Sequence, residues 1–539
     1  MKRYKSMLRF LTLAALVGSV TACTDNYEGY NKNPYEPGKE EMEQDGYMMR
    51  SALTTMQAWV VPLDVNTCQF TECLLGGSYG GYLSDSNSGF NNKNFATYVP
   101  QEGWSLVLFS DFIPKIYPAF KDLKNATEDP VPLAVGTIIK VMAMHRITDA
   151  YGPIPYSLIG EDGSLTTPYD SQEAVYNHMF TELDEAIATL TTHRTQDFNA
   201  NADMVYGGVA EKWIKLANSM KLRMALRIVN VSPALAQKKA EEVTSHEVGP
   251  MTSNADNAYR SVPTTNPFRV VMYEYNDGDS QVSADITSYM NGYEDPRREK
   301  YFAVSKFTDE ELAGKKVTQN GYYGLRSGVY MPAGTMIKHY ANMNVSANTS
   351  MQWMNAAEVA FLRAEGAMRG WNMGTPSGET YSTPAEGFYK AGIRLSFEQW
   401  GAGGADAYMV NSALKPDVYE DPMGLYNYDK TTSSITIQWK NVTGMDEQNL
   451  ERIITQKWIA NFPLGLEAWA EYRRTGYPKL MQVIINNSGG KVDTERMARR
   501  LAYPQSERTE NSENLNEAIS KYLGGPDTMG TDVWWAKKN

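Results

Sequence analysis

The chain has 539 residues, and its 51 lysines and arginines against 63 aspartates and glutamates give a net charge of −12. An acidic chain of this kind is unsuited to nucleic acid or to polybasic adhesion on a membrane, and suits a soluble domain that binds neutral ligands. Aromatic residues make up 11% of the sequence, and 34 of them are tyrosines, a residue type well suited to amphipathic contact surfaces.

The first 22 residues have the pattern of an export signal. Residues 1–9 contain four cations and no acid, an apolar run covers 10–17, and small residues lead to Cys23. The run is too short to span a bilayer, which needs roughly 20 apolar residues. The cleavage site resembles the bacterial lipobox, in which the cysteine is acylated and anchors the protein firmly. We predict a signal peptide over 1–22, lipidation at Cys23 and an extended tether over 23–39. The alternative is an ordinary signal peptide with a chance cysteine.

Removal of the signal would take away four cations and no acid, leaving the mature chain with a net charge near −16. After residue 40 the sequence contains no proline- or serine-rich linker and no charge block. We therefore predict one large domain over 40–539 rather than the three domains that length alone would suggest.

Apolar residues recur at spacings of three and four, which is typical of helices packed on one face. This spacing predicts helices, in chain order, over 49–60, 109–123, 132–149, 170–190, 208–229, 353–370, 384–400, 450–475 and 514–521. Asp170 and Glu173 have the spacing of a capping box at the start of the fourth helix. Because the helices come in neighbouring pairs, we predict a mainly α scaffold of stacked helical hairpins.

Three loop-rich excursions interrupt this scaffold, at about 76–103, 253–350 and 401–446. The pattern of residues 431–439 in the third predicts a strand. Loops longer than about 15 residues are uncommon unless they are functional, and rigid scaffolds usually present binding residues on loops. We therefore expect the ligand site on these excursions.

Two cysteines, Cys68 and Cys73, remain in the mature chain. We predict that both are buried as small apolar residues, although an exported protein could also join them in a disulfide. The five histidines are scattered without metal-ligand spacing, and no nucleotide-binding or hydrolase motif is present. We expect neither a metal nor another cofactor, apart from the calcium possibility described below.

Short motifs follow one another along the mature chain at 31–34, 146–155, 213–223, 294–297, 357–366, 456–460, 467–469, 472–478 and 499–504, with Glu507. In this order they resemble the SusD/RagB family of outer-membrane nutrient-binding lipoproteins of Bacteroidetes. Gly366 replaces the alanine usual at its position in these motifs.

The resemblance implies a fold of four tetratricopeptide-like helical pairs that carries an irregular ligand-binding region. It also implies an outer-membrane location and a partner, a TonB-dependent transporter of the SusC type. In such a pair the lipoprotein captures oligosaccharide at the cell surface and delivers it to the transporter.

A glycan site needs aromatic rings that lie against sugar faces, beside carboxamides that bond hydroxyl groups. The first excursion supplies both kinds of residue, and its glycines would let the backbone approach a ligand. In many members of the family an aromatic residue of this early loop contacts sugar. The alternative is that these rings pack the loop onto the helices. Our candidates there are Tyr79, Tyr82, Phe90, Asn91 and Tyr98.

The second excursion supplies further candidates, Tyr273, Tyr275, Asp277, Tyr322 and Tyr323. Asn276, Asp277 and Asp279 could also hold calcium, although the segment is not a complete EF-hand loop and a structural turn is the simpler interpretation. Trp534 and Trp535 are interpreted as packing anchors near the C-terminus.

Two other functions stay open at this point. A glycoside hydrolase would need two carboxylates about 5–10 Å apart in a cleft. Glu358 and Glu365 share a helix face, but we expect them, with Trp458, Trp469, Arg473 and Arg474, to be structural. A peptide-binding importer component is also compatible, because helical arrays commonly bind peptides. We predict a binding protein without catalytic residues.

Overall fold

Long helices form the frame of the fold, which a computed structural model describes for residues 46–160 and 166–537. The predicted signal peptide, Cys23, the tether over 23–39 and the start of the predicted domain, up to residue 45, lie outside these residues. The longer helices are α1 (Tyr47–Gln57), α2 (Ile113–Ala126), α3 (Pro130–Tyr151), α4 (Gln172–Thr192), α5 (Ala210–Arg227), α6 (Pro233–Ser245), α7 (Ala356–Met368), α8 (Pro384–Gln399), α9 (Glu447–Ala460) and α10 (Gly465–Thr475).

These helices pack in pairs. α1 lies against α2, α3 against α4, α5 against α6, and α7 against α8, while α4 also contacts α5 and α7 contacts α9. Their apolar faces meet in one continuous core. The prediction of a mainly α scaffold of stacked helical pairs is confirmed.

Helix α3 lies at the centre of this scaffold. It is long and apolar enough to cross a membrane, but most of it is buried inside the fold, as in the core helix of a globular domain. Asp129 caps its first turn by accepting a hydrogen bond from the Val131 N–H at 3.0 Å. Gly152, at φ 89°, ends it, as the glycine and prolines of this stretch predict.

Some predicted helix boundaries are wrong for local reasons. The predicted capping box at Asp170 does not form, because Ser171 caps α4 and Asp170 instead accepts hydrogen bonds from Ser157. The predicted single helix over 450–475 is two helices, α9 and α10, since Pro463 cannot continue the hydrogen-bond ladder. The stretch from 109 to 123 likewise divides between Val107–Ser110 and α2.

Short elements build the rest of the described chain. Three two-stranded antiparallel sheets pair β1 (Leu83–Asp85) with β3 (Ser280–Val282), β2 (Ala258–Arg260) with β6 (Met351–Met354), and β4 (Phe302–Ala303) with β5 (Asn342–Met343). The shorter helices are Val65–Cys68, Glu102–Ser105, Val107–Ser110, Pro267–Tyr273, Ala284–Gly292, Arg298–Tyr301, Asp309–Leu312, Ala405–Met409, Gln505–Glu510 and Ser512–Ala518.

Two further predictions need correction here. Residues 351–354, assigned in part to a helix, form β6, and α7 begins only after Asn355, whose side chain caps it. The strand predicted over 431–439 is absent from the described structure: Ile435 and Ile437 are buried, but the backbone there pairs with no strand. Its alternating apolar residues anchor an irregular loop to the core instead.

The second excursion has a small core of its own. Nine buried apolar side chains of 307–340 and 423 pack together, apart from the main core. A loop region with its own core can hold surface residues in fixed positions, although it has little regular structure.

Cys68 and Cys73 lie at the start of a π-helical stretch, Gln69–Gly77, which continues the helix Val65–Cys68. Both are free and buried, and their side chains are within hydrogen-bonding contact of each other. The prediction that they are buried is confirmed. In an α-helix a separation of five residues would place them on different faces, whereas the π-helical i to i+5 repeat aligns them.

A buried network of charges joins α3, α5, α7, α9 and α10. Arg223 bonds Glu358 through two N–H groups, each at 2.7 Å, and Arg474 bonds Glu365 in the same way at 2.8 and 2.7 Å. Arg227 pairs with both Glu467 and Glu471. Burial alone would raise the pKa of Glu467, but the charges of Arg227, Arg223 and Lys457 lower it to about 2.

Candidate ligand-binding surface

The three tyrosines predicted as exposed platforms of the early loop are buried. Tyr79, Tyr82 and Tyr98 have relative exposures of 1%, 0% and 1%. Tyr79 lies 5.0 Å from Trp469 and Tyr82 lies 5.5 Å from Trp458, measured between ring centroids. The prediction that these rings are exposed is wrong, and the alternative, that they anchor the loop on the helices, describes their position.

Glycine explains why these tyrosines turn inward. At Gly465, the first residue of α10, a Cβ atom would lie 2.2 Å from the backbone carbon of Gly76. The glycines of the early loop therefore allow the backbone to approach α10 rather than a ligand. This close approach draws Tyr79 and Tyr82 into the core beside the two tryptophans.

Phe90, at the tip of the same loop, is half-buried and belongs to a cluster of three rings at the surface. Its centroid lies 4.9 Å from that of Trp104, edge to face, and Phe70 stacks on Trp104 at 5.3 Å. Lys93 lies over the Trp104 ring at 5.9 Å. We call Phe70, Phe90 and Trp104 the aromatic cluster; it offers the apolar ring surface that sugar faces require.

Carboxamides lie beside the aromatic cluster. The Tyr330 hydroxyl donates to Asn92 Oδ1 at 2.6 Å, and Asn487 Nδ2 donates to the Tyr330 oxygen at 3.1 Å. Tyr330 is 38% exposed and Asn92 is exposed. We call Asn92, Tyr330 and Asn487 the carboxamide cluster; its donors and acceptors reach solvent and could bond sugar hydroxyls.

Asn91, predicted as a ligand-binding residue, has a different role in this structure. Its side chain accepts a hydrogen bond from the Met331 N–H at 2.9 Å and donates to the Met331 carbonyl at 2.8 Å. Both of its functional groups are thus used to hold the early loop against the second excursion. Asn91 positions the two clusters.

The turn at 276–279 fastens the other side of the early loop. Asp279 accepts hydrogen bonds from the side-chain amides of Gln69, Asn87 and Asn276 at 2.8–3.0 Å. Asn276 and Asp277 adopt positive φ angles of 49° and 59°, as asparagine and aspartate do in tight turns. This geometry is that of a structural turn, and calcium binding there stays an untested alternative.

The remaining candidates of that segment are partly exposed. Tyr273 is half-buried, and its hydroxyl donates to the Met343 carbonyl at 2.6 Å while Arg269 lies over its ring at 4.1 Å. The Tyr275 hydroxyl faces Asn66 Oδ1 at 3.4 Å, one helical turn before Phe70. Tyr275 is half-buried, whereas Asp277 is exposed.

Asp85 supports the early loop from below. It ends β1, and its carboxylate accepts hydrogen bonds from Asn94 Nδ2 at 2.8 Å and the Asn87 N–H at 3.3 Å. Burial raises its pKa to about 7, an effect that the hydrogen bonds and the charge of Lys338 only partly offset. The loop that carries Phe90 and Asn92 thus rests on a carboxyl group that titrates near neutral pH.

Tyr322 and Tyr323 lie apart from both clusters. Each is half-buried; Arg298 lies over the Tyr322 ring at 5.5 Å, and Tyr323 lines a hollow of about 410 Å³ with Asn291 and Asp417. The structure therefore does not join these two tyrosines to the surface formed by the early loop.

The two carboxylates that share a face of α7 have structural partners. Glu358 and Glu365 are both fully buried and each is bonded by an arginine, as expected for structural residues. Trp535 is buried too, and its N–H donates to Asp149 Oδ1 at 2.8 Å, which confirms its interpretation as a packing anchor.

Sequence reasoning missed Phe70, Trp104, Tyr330 and Asn487. Trp104 follows the glycine that ends the predicted excursion at residue 103, so extending the loop by one residue would have included it. Tyr330 stands in a glycine-rich stretch of the second excursion that could have been read in the same way as the first. No local signal distinguishes Phe70 or Asn487, because their role depends on contacts across the fold.

Comparisons with known proteins agree with this architecture. The family model described as "SusD-like: Susd and RagB outer membrane lipoprotein" matches residues 29–536. A SusD homologue from Bacteroides uniformis is 48% identical, with a TM-score of 0.84, covering 91% of this chain and 100% of that one. No protein with a curated function matches the chain.

Two other solved structures are similar over the same extent. A SusD homologue from Bacteroides thetaiotaomicron is 41% identical, with a TM-score of 0.83, covering 91% of this chain and 99% of that one. A chitin-binding SusD homologue from Flavobacterium johnsoniae is 36% identical, with a TM-score of 0.82 and the same coverage.

Proposed function

Because this chain belongs to the SusD-like family of outer membrane lipoproteins, we propose that it captures oligosaccharides at the cell surface and delivers them to a SusC-type TonB-dependent transporter without altering them. The observation that carries the proposal is the aromatic cluster beside the carboxamide cluster. Phe90 and Asn92, two residues apart on the early loop, each contribute to one of these clusters, so rings for sugar faces and amides for hydroxyl groups meet at this loop.

The construction of this surface supports binding rather than catalysis. The early loop is fastened on both sides, by Asn91 to Met331 and by Asn87 to Asp279, so its rings are held in place before a ligand arrives. Preorganisation of this kind increases affinity because less conformational entropy is lost on binding. In the proposed role the surface must bind a chain and release it again, which suits an open platform.

The proposal predicts that Trp104→Ala weakens glycan binding by about tenfold or more, because a central tryptophan anchor commonly contributes about 2 kcal/mol or more to binding. Affinity electrophoresis and calorimetry with chitohexaose, maltoheptaose and xyloglucan oligosaccharides would measure the change. Chitohexaose is the first probe, since one similar protein binds chitin.

Trp400→Ala is the matched control. Trp400 is also half-buried and packs on Tyr301, with centroids 4.4 Å apart, but it belongs to the end of α8 and not to the early loop. Equal losses in the two variants would contradict the proposed site. Shortened glycan products would indicate an enzyme, and binding of peptides alone would favour the peptide importer.

We also expect the mature protein to begin at a lipidated Cys23. Mass spectrometry of protein from membranes should give an acylated N-terminal cysteine, and Cys23→Ser should release the protein from the outer membrane, because several acyl chains are needed for stable anchoring. An unmodified Cys23, or cleavage at another position, would refute this prediction.

A further inference from the structure

A large cavity lies away from the aromatic cluster, beside the C-terminal end of α10. Its volume is about 970 Å³, within the range of small-ligand pockets. Tyr428 and Tyr472, both half-buried, contribute ring surface to its wall. It therefore combines space for a ligand with apolar surface.

The charge of the cavity is opposite to that of the chain. Six lysines and arginines line it against two carboxylates, Glu495 and Asp532, although the whole sequence has a net charge of −12. Asp532 is already shared by Arg496 and Arg499, each at 2.6 Å. Within the described chain, Lys430 and Lys479 have no carboxylate oxygen within 4.0 Å, and both are exposed.

Arg473 is the most buried of the cations that line this cavity. It is 2% exposed, its Nη1 donates to the carbonyls of Asp149 and Arg499 at 2.6 and 3.0 Å, and its Nε donates to the Trp469 carbonyl at 3.3 Å. No carboxylate oxygen of the described residues lies within 4.0 Å of its guanidinium nitrogens. Burial lowers the pKa of Arg473 well below its ordinary value, an effect that Asp149 only partly opposes.

A buried guanidinium without a carboxylate partner is costly. Every other buried arginine of the α5–α10 network has a carboxylate partner. Arg473 lines the cavity without a carboxylate partner among the described residues, so an anion that enters from solvent would compensate its charge.

We infer that this cavity is a second binding site, which takes the carboxylate of an acidic sugar such as a uronic or sialic acid residue. The carboxylate would face Arg473, Lys479 and Arg499, and the sugar ring would lie against Tyr472 or Tyr428. A bare inorganic anion would use the cations but leave both rings and most of the volume unused. The cavity is separate from the aromatic cluster, so the inference goes beyond the proposed glycan platform.

The test is calorimetry of the folded protein with trigalacturonate, 3′-sialyllactose and a hyaluronan tetrasaccharide, beside neutral galactotriose and inorganic phosphate. We expect at least one acidic sugar to bind about tenfold or more tightly than galactotriose and phosphate, and its affinity to fall as salt rises. The double variant Lys430→Gln, Lys479→Gln should lose about tenfold in affinity.

A control with the same loss of charge is Lys238→Gln, Lys316→Gln, since both side chains are exposed, at 70% and 75%, and both precede the first residue that lines the cavity, Tyr428, by a long stretch of sequence. It should bind as the wild type does. The inference is overturned if no acidic sugar binds, if galactotriose or phosphate binds equally well, or if the two double variants have equal affinities. Trp104→Ala should leave acidic-sugar binding unchanged, so failure here and failure of the glycan platform are distinguishable.

Discussion

Arg223→Met is expected to lower the free energy of unfolding by about 3–5 kcal/mol, because it leaves a buried carboxylate without its partner. Glu358 is fully buried, and its two oxygens accept hydrogen bonds from Arg223 Nε and Nη2, both at 2.7 Å. After the substitution its nearest cation would be Lys457, at 4.0 Å. The pair joins α5 to α7, so urea denaturation should report the loss as a lower midpoint for the whole domain.

Removing both members of the Arg223–Glu358 pair is expected to restore stability. Removing both charges, as Arg223→Met with Glu358→Leu, should recover most of the lost stability, because two apolar side chains need no partner. Arg194→Met provides the matched control: Arg194 and Glu247 are also 2.7 Å apart but 47% and 60% exposed, and we expect a loss below about 1 kcal/mol. Equal effects at the buried and the exposed pair would contradict the role assigned to the network.

The helical scaffold is predictable from sequence because helical periodicity is local. Residues such as Val175, Met179 and Leu183 repeat on one face, and they are all buried in α4. The errors occur where a single residue overrides the pattern: Pro463 divides α9 from α10, and Ser171 rather than Asp170 caps α4. Short apolar runs such as the one at 431–439 are ambiguous, because strands need a partner that sequence does not reveal.

The orientation of the site residues is less predictable from sequence than the helices are, because it depends on contacts between distant segments. Tyr79 and Phe90 belong to one glycine-rich loop, yet Tyr79 is buried against Trp469 and Phe90 stays at the surface. What separates them is the approach of Gly76 to Gly465, nearly four hundred residues away in sequence. The loop was identified correctly as a functional candidate, but the orientation of each ring depends on such distant contacts.

The second large effect on stability is expected at Asp85, the buried carboxyl group that supports the early loop. The pKa of Asp85 rises from its ordinary 3.8 to about 7 because the group is buried. A carboxyl group with a raised pKa favours the folded state when protonated, so its charge costs stability progressively as the pH rises from 3.8 through 7. At about 1.4 kcal/mol per pKa unit, the cost at pH 8 is on the order of 4 kcal/mol.

Asp85→Asn removes the charge at every pH, and the variant should therefore gain stability relative to the wild type as the pH rises from about 4 to 8. The measurement is the difference between their free energies of unfolding in urea at several pH values, which cancels the titration of all other groups. Asp122→Asn, at an exposed position of α2, should give a flat difference. If the difference for Asp85→Asn is flat as well, water reaches this carboxylate and the loop bearing Phe90 and Asn92 opens readily. The Phe90 ring would then not be held in place before a sugar arrives.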